Sequence, residues 1–300
     1  MAQSTEGHFD TVAMVDWSGA ATPTTGVDSI WICCQRTGAD EPETLTNPPT
    51  RRDAMAELTR LSEAEIAAGR RLMIGFDFPF GYPNGFAADL AAYSGATPDW
   101  KGVWHFLADA IQDGPRNRNN RFEVAAELNC TLYNGEGPFW GCPPRRPRQG
   151  LPMRKPEGYG SRYPAERRLI ETRIPRTQPC WKLFTTGSVG SQALMGIAAL
   201  ERFRRALAPN VGVWLDIADT DAPVQLVEIY PSLLSPDPRE SVKDAGQVRA
   251  MAAAYASPAV QRQALALPPD LSTAELRQVR TEELWIAGAA PQGSTTKLPK

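Results

Sequence analysis

The sequence predicts an α/β fold: a mixed β-sheet flanked by helices, interrupted by one loop-rich insertion. Three observations lead there. Short apolar runs that read as strands alternate with amphipathic stretches of helical period. The first three strands follow one another with only turn residues between them, which predicts an antiparallel meander before any crossover helix. From about 129 to 180 the periodicity gives way to proline, glycine and arginine.

Residues 11–16 (TVAMVD) are a short apolar run ending in an acid, 27–35 (VDSIWICCQ) a second strand and 43–47 a weaker third. Over 50–69, Met55, Leu58, Leu61 and Ile66 recur at helical spacing, and Gly69 closes the helix. Residues 72–78 (LMIGFDF) are almost continuously apolar, as in a strand buried on both faces. Helices are expected over 85–93, 100–112 and 119–129. Beyond the insertion, glycines at 187 and 190 open a helix carrying Leu194, Ile197, Leu200, Phe203 and Leu207. Strands follow at 211–217 and 224–230. Asp237-Pro238-Arg239-Glu240 offers an N-cap, a proline at the first helical position and an acid at the third, so a helix is expected from there to about 256. Helices near 258–267 and 273–288 complete a single domain spanning 1–290, and 291–300 reads as a tail.

Composition narrows the chemistry. The 300 residues are 42% apolar and 22% charged, with a net charge of −2, an ordinary globular balance without global bias toward nucleic acid. No run is long enough to cross a bilayer, and the first residues lack a basic patch followed by an apolar stretch. Five cysteines without regular spacing fit a reducing compartment. A cytoplasmic protein with no membrane partner is expected. The two histidines, His8 and His105, leave too little for a Ser-His-Asp triad, a Cys-His dyad or a multi-histidine metal site. There is no CxxC, no P-loop and no GxGxxG after a strand. Catalysis falls to carboxylates, hydroxyls, Lys, Arg or Cys.

Three strands end alike: V-D-W at Asp16, F-D-F-P at Asp77 and V-E-I-Y-P at Glu228. An isolated carboxylate in such surroundings is costly to desolvate and needs a cation, an arginine or backbone amides. If the first and fourth strands are parallel neighbours, Asp16 and Asp77 meet at one sheet edge, where a divalent metal would offset their repulsion. Hard carboxylate oxygens suit Mg²⁺ or Mn²⁺. The alternative is that each acid anchors a neighbouring loop. Asp244 is a fourth candidate, expected in the second turn of the helix after the Glu228 strand, where it either reaches the sheet edge or is simply solvated.

VDWSGA, IGFDFPFG, VEIYPSLL, KDAGQVRAMAAAY and TEELWIAGA together resemble the DUF429 family, predicted nucleases of the ribonuclease H-like superfamily. The resemblance touches about half the chain. It implies a ribonuclease H-like fold with metal-binding catalytic acids at Asp16, Asp77, Glu228 and Asp244. The family helix reads like HDAxDA; here Lys243-Asp244-Ala245-Gly246-Gln247 keeps the first acid and replaces the second. Some relatives carry a label linking them to molybdopterin-guanine dinucleotide synthesis.

Two further stretches suggest phosphate. Thr185-Thr186-Gly187-Ser188-Val189-Gly190-Ser191-Gln192 enters a helix, where exposed amides and small hydroxyls would form an anion nest with Ser188 and Gln192 as contacts; the alternative is a tightly packed turn. Ser18, in the turn after Asp16, and Lys243 are further candidate substrate contacts. Residues 145–176 hold ten basic side chains against three acidic ones, a local +7, with Trp140, Tyr159, Tyr163 and Trp181 in or beside them. Arg145, Arg146 and Arg148 would contact a phosphate backbone, or the stretch pairs with acids of its own surface. The function expected is divalent-metal-dependent phosphodiester hydrolysis on a nucleic acid or nucleotide. The alternatives are nucleotide phosphoryl transfer on an actin-like variation of the fold, to which the molybdenum-cofactor label belongs, and a non-catalytic descendant. A homo-oligomer stays open.

Overall fold

The computed structural model describes residues 8–38, 42–185 and 187–289. The expected tail, 291–300, and Thr186 of the candidate nest lie outside them. The described chain gathers into two compact units.

The first unit runs to Asp77 and resumes over 203–269 and from Ile286. Its sheet contains β1 (Thr11–Asp16), β2 (Trp31–Arg36), β3 (Thr44–Thr46), β4 (Leu72–Phe76), β5 (Val211–Val213) and β6 (Val224–Glu228), in the order β3-β2-β1-β4-β6-β5. The β1–β2 and β2–β3 pairs are antiparallel; β1–β4, β4–β6 and β5–β6 are parallel. The expected mixed α/β sheet is therefore present. The helix α1 (Arg51–Ala67), begun by the Thr50 hydroxyl accepting the Asp53 amide, is the crossover that makes β4 parallel to β1. Alternation along the strands sends Val12, Met14, Met73 and Val227 to one face, against Val248, Met251, Ala252 and Tyr255 of α7 (Lys243–Tyr255). Thr11 faces the other way, where its hydroxyl donates to Glu65 of α1 at 2.7 Å. On the α7 face a Cβ at Gly75 would stand 2.7 Å from Met14 Sδ and 2.9 Å from Ile229 Cγ2, so any side chain there would force these two to shift. The short α8 (Pro258–Ala264) completes this unit.

Several boundaries differ from expectation, two of the following because a side chain claims the backbone. The second strand begins at Trp31 rather than 27: the Gly26 amide donates to Asn47 Oδ1, the Gly26 carbonyl accepts from Ser29 and Trp31, and Asp28 turns at φ +55°. The strand expected over 211–217 stops at Val213, before Leu215 at φ +81°. The helix expected from Pro238 starts at Lys243, because Asp237 accepts from the guanidinium and amide of Arg239 instead of capping a helix. Asp244 therefore stands in the first turn of α7, not the second.

The second unit covers 78–202 and 270–285. It contains α2 (Phe86–Ser94), α3 (Trp100–Ala110), α4 (Arg121–Tyr133), α5 (Leu169–Arg173), α6 (Val189–Ala206) as far as Arg202, and α9 (Thr273–Gln278). The helix expected over 273–288 ends early, in a π-turn at Val279–Glu283. The centre is aromatic: Tyr82, Phe86, Phe139 and Trp181 meet at centroid distances of 4.8–6.0 Å. The insertion is anchored by polar groups. The buried Arg168 bonds Glu171 and the Glu283 carbonyl, both at 2.9 Å. Glu283 in turn accepts the amides of Leu169 and Asn84, and Asn129 ties Phe139 to Gly150. No helix among the described residues is long and apolar enough to cross a membrane.

Candidate functional site

The last paired residues of β1 and β4 are Val15 and Phe76. Asp16 and Asp77 follow each by one residue, so they end neighbouring parallel strands at the same level, ~4.8 Å apart in backbone. Both are half-buried. Asp77 Oδ1 accepts the Trp17 amide at 2.7 Å, which fixes the chain as it leaves β1. From the α7 face, the first helical turn brings Asp244, whose Oδ2 accepts the Asp28 amide at 3.1 Å. Lys243 is exposed beside it.

The electrostatics reflect like charges near one another. Burial first, then the negative charges of Asp77, Asp244 and Asp28, push the Asp16 carboxyl well above the usual range, while Lys243 pulls it back. Asp77 is pushed up to about 7, chiefly by burial and further by Asp244, against the lowering effect of amides from Trp17 and its own backbone. Asp77, Asp244 and Asp28 are thus near enough to Asp16 to disfavour its charge. Sequence reading missed Asp28 because VDSIWICCQ looks like uninterrupted strand; the aspartate before a serine was the only sign of a turn.

Glu228 stands apart from this group. It pairs with Phe76, which pairs with Val15, so it lies one step before the level of Asp16 and Asp77. Alternation turns its side chain to the face of Val15 and Phe76, away from Asp244. It is buried, and its carbonyl accepts the Ala287 amide at 2.8 Å.

The loop after Asp16 is braced from below. The buried guanidinium of Arg51 donates to the carbonyls of Ser18 (3.0 Å) and Ala20 (2.7 Å). Ser18 Oγ accepts the Ala20 amide, so this candidate contact serves the turn itself. Among the described residues, no group of three or more His, Cys, Asp or Glu side chains is arranged to hold a metal ion, and the four expected ligands do not form such a set. Mg²⁺ commonly uses one or two carboxylates and keeps its waters. The all-oxygen pair of Asp16 and Asp77, with its mutual repulsion, fits that smaller demand.

The other candidates lie in the second unit. At the start of α6, the Gly190 amide donates to the Lys182 carbonyl at 3.0 Å. Ser191 Oγ donates to the Leu183 carbonyl at 2.6 Å and accepts from Arg121. These groups serve packing, the alternative to an anion nest; Ser188 and Gln192 are half-buried beside them. Arg148 pairs with Glu123, whereas Arg145 and Arg146 are exposed. Arg162 pairs with Glu136 and Arg173 with Asp270, so carboxylates outside the stretch meet part of its +7, while Lys155 pairs with Glu166 within it.

No protein-family model, curated protein or solved structure matches this chain.

Proposed function

We propose that the acidic end of the sheet binds Mg²⁺ or Mn²⁺ and hydrolyses a phosphodiester, on a variant of the ribonuclease H-like fold, in the reducing cytoplasm. The observation behind this reading is that Asp16 and Asp77 end adjacent parallel strands in register, their carboxyls raised by burial and by neighbouring carboxylates, Asp244 among them. Repelling carboxylates on rigid backbone weaken the empty fold, so their natural counterpart is a cation. Asp16 and Asp77 would hold it, and Asp244 would reach it directly or through water. Such a metal supplies Lewis acidity toward a phosphoryl oxygen and acidifies water. The chain contributes orientation: the Trp17 amide fixes the Asp77 carboxylate, Arg51 holds the turn after Asp16, and Lys243 stands beside Asp16 to meet a phosphate oxygen.

The test is Mn²⁺ titration by calorimetry, together with hydrolysis of bis(p-nitrophenyl) phosphate. Saturable binding and hydrolysis, both lost in Asp16→Asn, are expected. Equal Mn²⁺ binding by wild type and variant would sink the reading.

One observation favours a second reading. Asp77 already accepts the Trp17 amide, so it also serves as a loop anchor in a non-catalytic protein. In that case Asp77→Ala lowers the melting temperature and Mn²⁺ does not raise it in wild type.

A further inference from the structure

The second unit carries an exposed surface that its internal ion pairs leave unexplained. Trp140 pairs with Lys182 across a short parallel bridge, and the Lys182 ammonium lies 5.7 Å from the indole centroid. The adjoining Gly141 amide donates to the Pro152 carbonyl at 2.8 Å, which brings Met153 alongside. A Cβ on Gly141 would meet the Phe184 nitrogen at 2.9 Å, so that segment is clamped against the same turn. Cys142 Sγ reaches the Arg146 carbonyl at 3.3 Å, which closes the turn carrying Arg145 and Arg146. These contacts draw together the segments that carry Trp140, Met153, Lys182 and Phe184, a patch bordered in sequence by Arg145, Arg146 and Arg154.

Two of these side chains are placed against expectation for a plain surface. Met153 is 58% exposed and Phe184 40%, in segments held by backbone hydrogen bonds and close packing. The indole Nε1 of Trp140 is buried without a hydrogen-bond partner, so this tryptophan is kept at the patch without a polar bond from its ring nitrogen. Exposed arginines next to flat and polarizable apolar side chains match one chemistry well: phosphates bind the cations while unpaired base faces stack on the rings. A duplex offers the phosphates but hides the base faces. An acidic peptide offers charge but no face to stack.

We infer that this patch binds single-stranded nucleic acid, with Phe184 and Met153 as the stacking surface and Arg145, Arg146 and Arg154 as phosphate contacts. The inference rests on the hydrolase reading for its biological sense, since it names the substrate class, but its test does not depend on that reading.

Binding of a fluorescein-labelled oligothymidine of about twelve nucleotides is followed by anisotropy with EDTA present, which silences any metal chemistry. Wild type should bind at low salt, and a duplex of the same length should bind more weakly. Phe184→Ala should weaken binding by about tenfold, and Phe184→Trp should restore it. Phe184 is exposed, so neither variant threatens the fold. Replacing Arg145 and Arg146 together by Ala should reduce the slope of log affinity against log salt by about two units. Absence of binding at low salt, equal binding by Phe184→Ala, or a duplex bound as tightly as the single strand would each overturn the inference. So would capture of an acidic peptide or an anionic vesicle in place of the oligonucleotide. If wild type binds the oligonucleotide but never hydrolyses a phosphodiester with Mn²⁺, the patch stands and the hydrolase reading falls. The converse result removes the patch alone.

Discussion

The acidic strand ends of the first unit and the basic insertion of the second handle charge in opposite ways. At the strand ends Asp16 has the like charges of Asp77, Asp244 and Asp28 around it, and Lys243 offsets them in part. In the insertion, opposite charges meet: Arg168 with Glu171 in the interior, and Arg148, Lys155, Arg162 and Arg173 with carboxylates at the surface. The first arrangement costs the fold stability; the second holds an otherwise irregular chain in place. Like charges concentrated on rigid elements point to function, whereas paired charges are equally at home in scaffolding.

The sharpest way to break the contrast is to neutralise the strand ends. Asp16→Asn and Asp77→Asn should each reduce Mn²⁺-dependent hydrolysis by about 10²-fold or more, the scale of losing metal-based stabilisation. In wild type, Mn²⁺ at a hundredfold over its Kd should stabilise the fold by about 2.7 kcal/mol in urea titrations. Both variants should lose that increment. A variant that keeps it would show the carboxylates to be anchors only.

The next effect probes the opposite pole. Arg168→Ala leaves Glu171 buried without its guanidinium and frees the Glu283 carbonyl. Breaking such a pair costs about 3–5 kcal/mol. Arg162→Ala, at a pair where both partners are well exposed, should cost less than about 1 kcal/mol. Urea unfolding compares the two, and similar losses would mean that burial does not rank these pairs.

A smaller effect is a pH dependence. Asp77 titrates at about 7 in the folded chain, against an ordinary 3.8. The folded state therefore binds this proton more tightly, so unfolding free energy falls as pH rises from about 4 to about 7 and is level above. Asp16, also raised, acts in the same direction. With EDTA present, the difference between wild type and Asp77→Asn should follow that slope. A difference that is constant from pH 4 to 8 would contradict the raised carboxyl.

The same contrast explains what could be read from the sequence. The strand ends were legible because an acid after an unbroken apolar run is rare, and β1 and β4 have the apolar pattern of a buried parallel pair. Asp16 and Asp77 follow from that. Helix starts and turns were less legible where a side chain competed for the backbone, as at Asp237 and Asn47. Arg51 stands at a helix start, and nothing local in the sequence shows that its guanidinium bonds the Ser18 turn. The insertion hid its pairs because they join segments far apart in sequence, such as Arg173 and Asp270. Register was the least visible of all: V-E-I-Y-P and F-D-F-P look alike, yet a shift of one residue turns one acid to the opposite face.

That shift sets the smallest expected effect. Glu228 pairs with Phe76 rather than with Asp77, so its side chain belongs to the face of Val15 and not to that of Asp244. Glu228→Gln keeps its size and most of its hydrogen-bonding capacity while removing its charge. Calorimetric Mn²⁺ affinity should change by no more than about threefold, because a charge beyond the sheet acts only through distance, under ~1 kcal/mol. Asp16→Asn in the same titration should abolish measurable binding. If Glu228→Gln weakens Mn²⁺ as severely as Asp16→Asn, all three strand ends share one metal shell and the one-residue offset does not separate them.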